Sequence, residues 1–170
     1  MRVTLKPFGA PEPAVLEHLA TGLRAFGDVR TSPSGAPPTG AYDPKRNQYL
    51  ADAFLETSKD EPGDLVLAVT TEDLFDPGLS FVFGLARTRG RNAVISTARL
   101  AGDGPERLLE RTLKEAVHEI GHLLGLDHHR DDPECVMFFS KRLEDTDRKG
   151  ATFCRTCGDA AGFTLKRLRR

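Results

Sequence analysis

The sequence predicts an α+β domain, a twisted mixed sheet of four to five strands packed on helices. Two patterns predict it. Apolar residues recur at helical spacing in three separate stretches, whereas short apolar runs bounded by turn residues, above all Leu65–Thr70, read as strands. Length sets the scale: 170 residues, 39% hydrophobic, suit one domain with one sizeable core.

The elements follow in order. Arg2 to Lys6 alternates polar and apolar residues and reads as a strand closed off by Pro7 and Gly9. From Glu12 to Phe26, residues Val15, Leu16, Leu19, Leu23 and Phe26 mark a helix that Gly27 can stop. Asp28 to Thr31 suits a short strand, and Ser32 to Pro44, with four prolines and two glycines, a surface loop. Arg46 to Ser58 reads as a helix using Tyr49, Leu50, Ala53 and Phe54. Leu65 to Thr70 is apolar without alternation, the mark of a central strand covered on both faces. Leu79 to Ala86 alternates as a half-covered strand, and Ala93 to Ala98 can pair with it in a hairpin. Pro105 opens a long helical pattern that runs to Gly125. Beyond it the periodicity weakens into a Cys-, His- and Asp-rich stretch, with one short helix around Lys141 to Arg148 and a basic, solvated end at Lys166 to Arg170.

Charge narrows the partners. Lys and Arg number 24 against 25 Asp and Glu, so no global positive field recommends nucleic acid or an anionic membrane. The longest apolar runs are far too short for a membrane span, and Met1 to Pro13 lacks the apolar core of a secretory signal. A soluble, cytoplasmic protein is therefore expected. The three cysteines, Cys135, Cys154 and Cys157, are odd in number and clustered, which points to metal or redox chemistry and away from a disulfide framework.

The informative segment is HEIGHLLGLDHH, His118 to His129. At about 100° per residue, Leu109, Leu113, Ala116, Val117, Ile120, Leu123 and Leu124 take the core side of the helix, leaving His118 and His122 on an open face. Four residues apart, those two differ by about 40° in direction and about 6 Å along the axis, so both imidazoles can reach one ion. His128 would lie about 15 Å along a continued helix, out of reach, but Gly125 can take the left-handed conformation that turns the chain back. Three histidines then leave a fourth position for water, as in a catalytic zinc site. Glu119, beside the ligands, is the carboxylate that the chemistry requires to take a proton from the zinc-bound water and deliver it to the leaving amine. His18, remote in sequence, reads as a surface or packing histidine. Asp127, Asp131 and Asp132 either orient ligands or occupy solvent.

HExxHxxGxxH is the metzincin signature, and here Cys135-Val136-Met137 and, after sixteen intervening residues, Cys154-Arg155-Thr156-Cys157 follow it. The chain thereby resembles the archaemetzincin family of zinc peptidases, with DLVLAVTTEDLF (Asp64 to Phe75), FVFGLA (Phe81 to Ala86) and VISTARL (Val94 to Leu100) similar to that family's sheet segments. The resemblance covers about the last two thirds of the chain and weakens before Arg46. It implies a metzincin-like fold and makes Met137 the methionine of the turn beneath the zinc. It also makes Phe81, Val82, Phe83 and Gly84 part of the edge strand along the substrate cleft, where an extended peptide can add as another strand. Archaemetzincins carry a cysteine after the third histidine and bind a second, structural zinc with four cysteines. Here His129 occupies that position, and zinc accepts Cys3His as readily, so His129, Cys135, Cys154 and Cys157 remain a candidate structural site.

The expectation is one domain over 1–170: the sheet and helices with the active-site helix in 1–125, then the third ligand, Met-turn and zinc-tied C-terminal segment in 126–170. It takes two Zn2+, one catalytic and one structural, acts on a peptide or protein substrate, and is a monomer without nucleic-acid or membrane partners. Two rivals differ in class. LLGLDH, Leu123 to His128, also resembles metal-dependent endoribonucleases that mature ribosomal RNA; their helix generally lacks the glutamate after the first histidine and the C-x-M and C-x-x-C elements present here. A zinc protein that binds without turnover is the other, since ligation says nothing about whether a substrate fits.

Overall fold

The computed structural model describes residues 1–168. The first half of the chain forms β1 (Arg2–Phe8), α1 (Pro13–Gly22) with a 3-10 turn at Leu23–Ala25, β2 (Asp28–Thr31), β3 (Tyr42–Asp43), β4 (Gln48–Leu50), α2 (Ala51–Thr57), β5 (Leu65–Thr70) and β6 (Leu74–Phe75). The second half adds β7 (Gly84–Ala86), β8 (Asn92–Ser96), α3 (Pro105–Leu123), α4 (Leu143–Arg148) and α5 (Arg155–Leu168).

Five strands form the main sheet in the order β2-β1-β5-β8-β7. The first four run parallel and β7 pairs antiparallel with β8 at one edge, so the sheet is mixed, as the α+β expectation required. β5 lies between β1 and β8 with all six residues buried, which explains its unbroken apolar run. Its side chains alternate: Leu65, Leu67 and Val69 join Val3, Leu5, Ala93 and Ile95 in the core shared with Leu19, Leu23, Ala116 and Ile120, from α1, the turn and α3. Ala68 and Val94 face a smaller cluster with Phe54 and Leu55 of α2. Helices thus cover both faces, and α3 lies against β8 and the edge strand β7.

Several elements depart from the sequence reading: β1 runs on through Pro7 to Phe8, and β3 lies within the expected loop. The helix expected over Arg46–Ser58 begins only at Ala51, because Asn47 takes a left-handed turn (φ 54°) and the buried Gln48 amide donates to the Asp73 carboxylate (3.1 Å) and the Ser80 carbonyl (3.0 Å), fastening β4 beside β6. The strand expected over Leu79–Ala86 is reduced to Gly84–Ala86. Upstream, the Val82 N–H donates to the Leu74 carbonyl, the Arg46 guanidinium holds the Leu79 carbonyl, and Arg99 lies over the Phe81 ring, drawing the segment toward the small sheet β3-β4-β6. α5 was not anticipated. Of the expected basic tail, Lys166–Leu168 is the last turn of α5, and Arg169 and Arg170 lie outside the described residues. Among the described residues, no helix is long and apolar enough to cross a membrane.

Candidate metal centre and active site

Pro105 opens α3 after Gly104, and the helix ends at Leu123 with Gly125 in the left-handed region at φ 92°. The Gly125 N–H donates to the His122 carbonyl (2.9 Å) and the Leu126 N–H to the Gly121 carbonyl (3.0 Å), which stops the helix and reverses the chain. Arg89, itself left-handed at φ 60°, clasps the same helix end with its N–H on the His122 carbonyl (2.9 Å). The histidine-bearing stretch of α3 is therefore tied to the hairpin between β7 and β8.

The structure brings His118, His122 and His128 together, with candidate ligand atoms all within 4.8 Å of one another. The His118 Nδ1–H donates to the Val136 carbonyl (2.7 Å) and the His122 Nδ1–H to the Leu126 carbonyl (2.8 Å), which assigns the protons and turns both Nε2 lone pairs inward. His122 Nε2 lies 3.2 Å from His118 Nε2 and 3.2 Å from His128 Nε2. Nitrogens 2.0–2.1 Å from a tetrahedral zinc would stand about 3.3 Å apart. Lone pairs facing one another at this separation repel unless a cation lies between them, so the donor set fits a divalent metal.

The face predicted to be open is covered. His118 and Glu119 are each 4% exposed, and Leu109 and Leu113, expected in the core, are only partly buried. Helical periodicity could not show that β7 and the segment after Gly125 close over the histidine side. Burial is also the main force on the charges here: it holds His118 and His122 below the ordinary histidine range and His128 down to about 4, so all three stand neutral and ready to ligate. Glu119 is pushed well above the carboxylate range, first by burial and then by Glu115 one turn earlier, with Lys149 pulling the other way. Its Oε2 is buried and, among the described residues, has no hydrogen-bond partner.

Met137 is fully buried, and its thioether packs against the helix where Gly121 lacks a side chain. The Phe138 N–H closes the turn onto the Cys135 carbonyl (2.9 Å), and the His129 N–H donates to the Met137 carbonyl (2.9 Å). This turn also supplies the Val136 carbonyl that orients His118, so it braces the site through backbone and side chain.

His129, Cys154 and Cys157 form a second metal-capable group within the same 4.8 Å limit. Cys135, the fourth residue expected there, lies outside that limit, but its buried Sγ accepts the Cys154 N–H (3.4 Å). His129 Nδ1 is buried without a hydrogen-bond partner among the described residues. Burial and the adjacent sulfurs push the Cys157 thiol up to about 12, whereas the Cys157 N–H lowers Cys154 at the start of α5. A divalent cation would satisfy the orphaned nitrogen and stabilise the thiolates, so these residues too fit a metal. Asp132 instead caps its own turn, accepting the Glu134 N–H (3.0 Å) and Cys135 N–H (3.3 Å), while Asp131 is exposed and Asp127 lines the cleft. His18 is half-buried on α1, in neither group.

A cleft of about 770 Å³ runs along the site, lined by Phe81, Val82, Phe83, Gly84, His118, Glu119, His122 and His128, with Phe139, Ser140 and Lys141 from beyond the turn. Sequence reasoning missed Phe139, whose ring lies 4.7 Å from that of His128, and the buried Glu115–Lys149 pair behind Glu119. Glu115 carried one signal, its position one turn before Glu119; Lys149 carried none.

Comparison with known proteins shows the family. The family model described as peptidase family M54 matches residues 38–161. The archaemetzincin of Methanopyrus kandleri is 47% identical over 154 residues, covering 89% of this chain and 86% of that protein. The archaemetzincin of Halobacterium salinarum is 38% identical over 169 residues, covering 92% and 97%. Among solved structures, the M. kandleri archaemetzincin superposes with a TM-score of 0.90 at 42% identity over 98% of this chain and 96% of that one. A zinc-dependent peptidase from Methanocorpusculum labreanum gives 0.81 at 29% identity over 94% and 99%. The chain belongs to peptidase family M54, the archaemetzincins, and is a metallopeptidase.

Proposed function

We propose that the chain hydrolyses peptide bonds as a zinc metallopeptidase, with His118, His122 and His128 holding the catalytic ion and Glu119 as general base. The observation that carries this reading is the Glu119 carboxylate, buried in the cleft wall beside converging imidazoles with Oε2 unpartnered. When bound, zinc lowers the pKa of a coordinated water to about 7 and polarises the substrate carbonyl. Glu119 accepts a proton at Oε2 from the attacking water and passes it to the leaving amine. Burial and then Glu115 oppose its ionisation, so the carboxylate depends on local cationic charge, to which Lys149 contributes.

The edge strand supplies the substrate register. The Ser96 N–H donates to the Phe83 carbonyl, so in the antiparallel pairing Phe83 and Leu85 bond toward β8. By that alternation Gly84 and Ala86 point their N–H and C=O outward, where an extended peptide can pair. The segment Phe81–Phe83 forms the adjoining wall, the phenylalanines packed edge to face at 5.1 Å. His129, Cys154 and Cys157, with Cys135 beside them, hold a second, structural zinc that ties 126–168 to the catalytic helix as parts of one domain. None of the three cysteines is in a disulfide, which suits the cytoplasmic setting of this reading, and the chain acts as a monomer. The peptidase family favours this activity over the endoribonuclease.

Glu119→Gln tests the proposal against the non-catalytic alternative. Cleavage of a mixed peptide library should fall by about 10²–10⁴ with zinc content unchanged. Undiminished cleavage, or RNA cleaved in place of peptide, refutes it.

A further inference from the structure

Gly84 lies where the edge strand meets the catalytic helix, and its backbone conformation does not explain the glycine, because its φ is not among the positive values. A glycine within a strand gives up packing and costs conformational entropy, so one here points to a close approach. The close approach is to Glu119. A Cβ at position 84 would lie 2.6 Å from Glu119 Oε1, 2.8 Å from Glu119 Cγ and 2.8 Å from the Val94 carbonyl oxygen. The carbonyl belongs to the paired strand β8 and cannot yield, so an added methyl must displace the glutamate or part the strands.

We propose that Gly84 is a positioning residue for Glu119: the missing side chain sets where the carboxylate rests against the edge strand. This deepens the reading of Glu119 as general base and rests on it. The consequence is one of register. The backbone of Gly84 faces the cleft where a substrate strand would pair, while its Cα face carries Oε1 of the base. One residue therefore fixes both the substrate backbone and the group that moves the proton, and the offset between them cannot drift. A methyl would break that offset without touching the imidazoles. Displacement of a reacting group by about 1 Å lowers turnover by about 100-fold.

Two measurements on the full chain test this. Gly84→Ala, zinc-loaded, should lower kcat by about 100-fold with KM within about threefold of the parent and zinc content equal. In the metal-free protein, Gly84→Ala should lower the melting temperature by several degrees, and by less than half as much in a Glu119→Ala background, where Cγ and the carboxylate are gone. A structural effect confined to the Val94 carbonyl would destabilise both backgrounds equally. If Gly84→Ala fails to fold, recovery of folding in the double variant supports the proposal and failure to recover overturns it. Equal destabilisation in both backgrounds, or kcat within threefold of the parent, overturns the positioning role and leaves Glu119 as base. Full activity in Glu119→Gln overturns both.

Discussion

Lys149→Met removes an ammonium with no solvent access, and the structure sets the size of the loss. Lys149 Nζ lies 3.0 Å from Glu115 Oε1, their side chains 0% and 3% exposed, so neither ion has water to fall back on. Without the lysine, Glu115 keeps, among the described residues, the hydrogen bond from the Thr146 hydroxyl, 2.9 Å from Oε1, against a buried charge. Breaking one side of such a pair costs about 3–5 kcal/mol. For a chain of this length, about 2–4 °C of melting temperature follow each kcal/mol, so the midpoint should fall by roughly 10 °C. Urea unfolding at saturating zinc measures the free energy, and Lys149→Met/Glu115→Leu completes the cycle. The double variant should regain most of the loss, because an apolar pair of similar volume carries no desolvation penalty. A single-variant loss under about 1 kcal/mol, or a double variant as unstable as the summed singles, would refute the reasoning. Activity should respond separately. Lys149 favours the ionised form of Glu119 and Glu115 disfavours it, so Lys149→Met should move the acid limb of kcat/KM to higher pH and Glu115→Gln should move it lower.

Gly121→Ala gains helix propensity of about 1 kcal/mol but drives a methyl into Met137 Sδ, with Met137 Cε and Phe153 Cε1 each 3.0 Å away, so a net loss of about 1–2 kcal/mol is expected by denaturant unfolding. A stabilised variant would show that the thioether yields freely. In metal-free protein the three histidines titrate below their unfolded value, so the unfolded chain binds more protons and stability should decline as pH falls from about 6.5 toward 4, where His128 charges. Melting curves flat across that window would contradict the burial argument. Cys157→Ser should reduce bound zinc from two equivalents to one and loosen the C-terminal segment to proteolysis, while two equivalents retained would remove Cys157 from the second site.

The parts of the fold legible in the sequence are those where one strong physical constraint acts alone. β5 is apolar on both faces because helices cover both, and α3 keeps its period through nineteen residues. Where two constraints compete, pattern misleads. Tyr49, Leu50, Ala53 and Phe54 do share helical spacing, but the buried Gln48 amide holds Tyr49 and Leu50 in a strand, and no periodicity registers a hydrogen bond. Leu79 and Phe81 alternate with their neighbours like strand residues, but Arg46 and Arg99, distant in sequence, hold the segment before Phe83 away from the main sheet, and only the Phe83 carbonyl still bonds to β8.

The candidate site is legible for a different reason: a metal-ligating pattern fixes residue types as well as positions. His118, His122, Gly125 and His128 each satisfy a local requirement that adjacent residues reveal. Glu115, Lys149 and Gly84 act through contacts across elements, and their identities make sense only once α3 is laid against β7 and the segment after Gly125. The same division explains the stretch beyond residue 126, where apolar residues such as Val136 and Met137 reach the core without a regular period and backbone ties, such as the Val136 N–H to the Thr152 carbonyl (3.1 Å), and clustered sulfurs and imidazole add to the order. A segment organised by side-chain chemistry should lose its structure when that chemistry is reversed, whereas the sheet, organised by apolar burial, should not. Chelation ought therefore to raise amide exchange in 126–168 well before it does so in β1, β5 and β8. Uniform exchange across both regions would mean that apolar contacts such as Phe26–Phe153, edge to face at 6.1 Å, hold the segment without help from a metal.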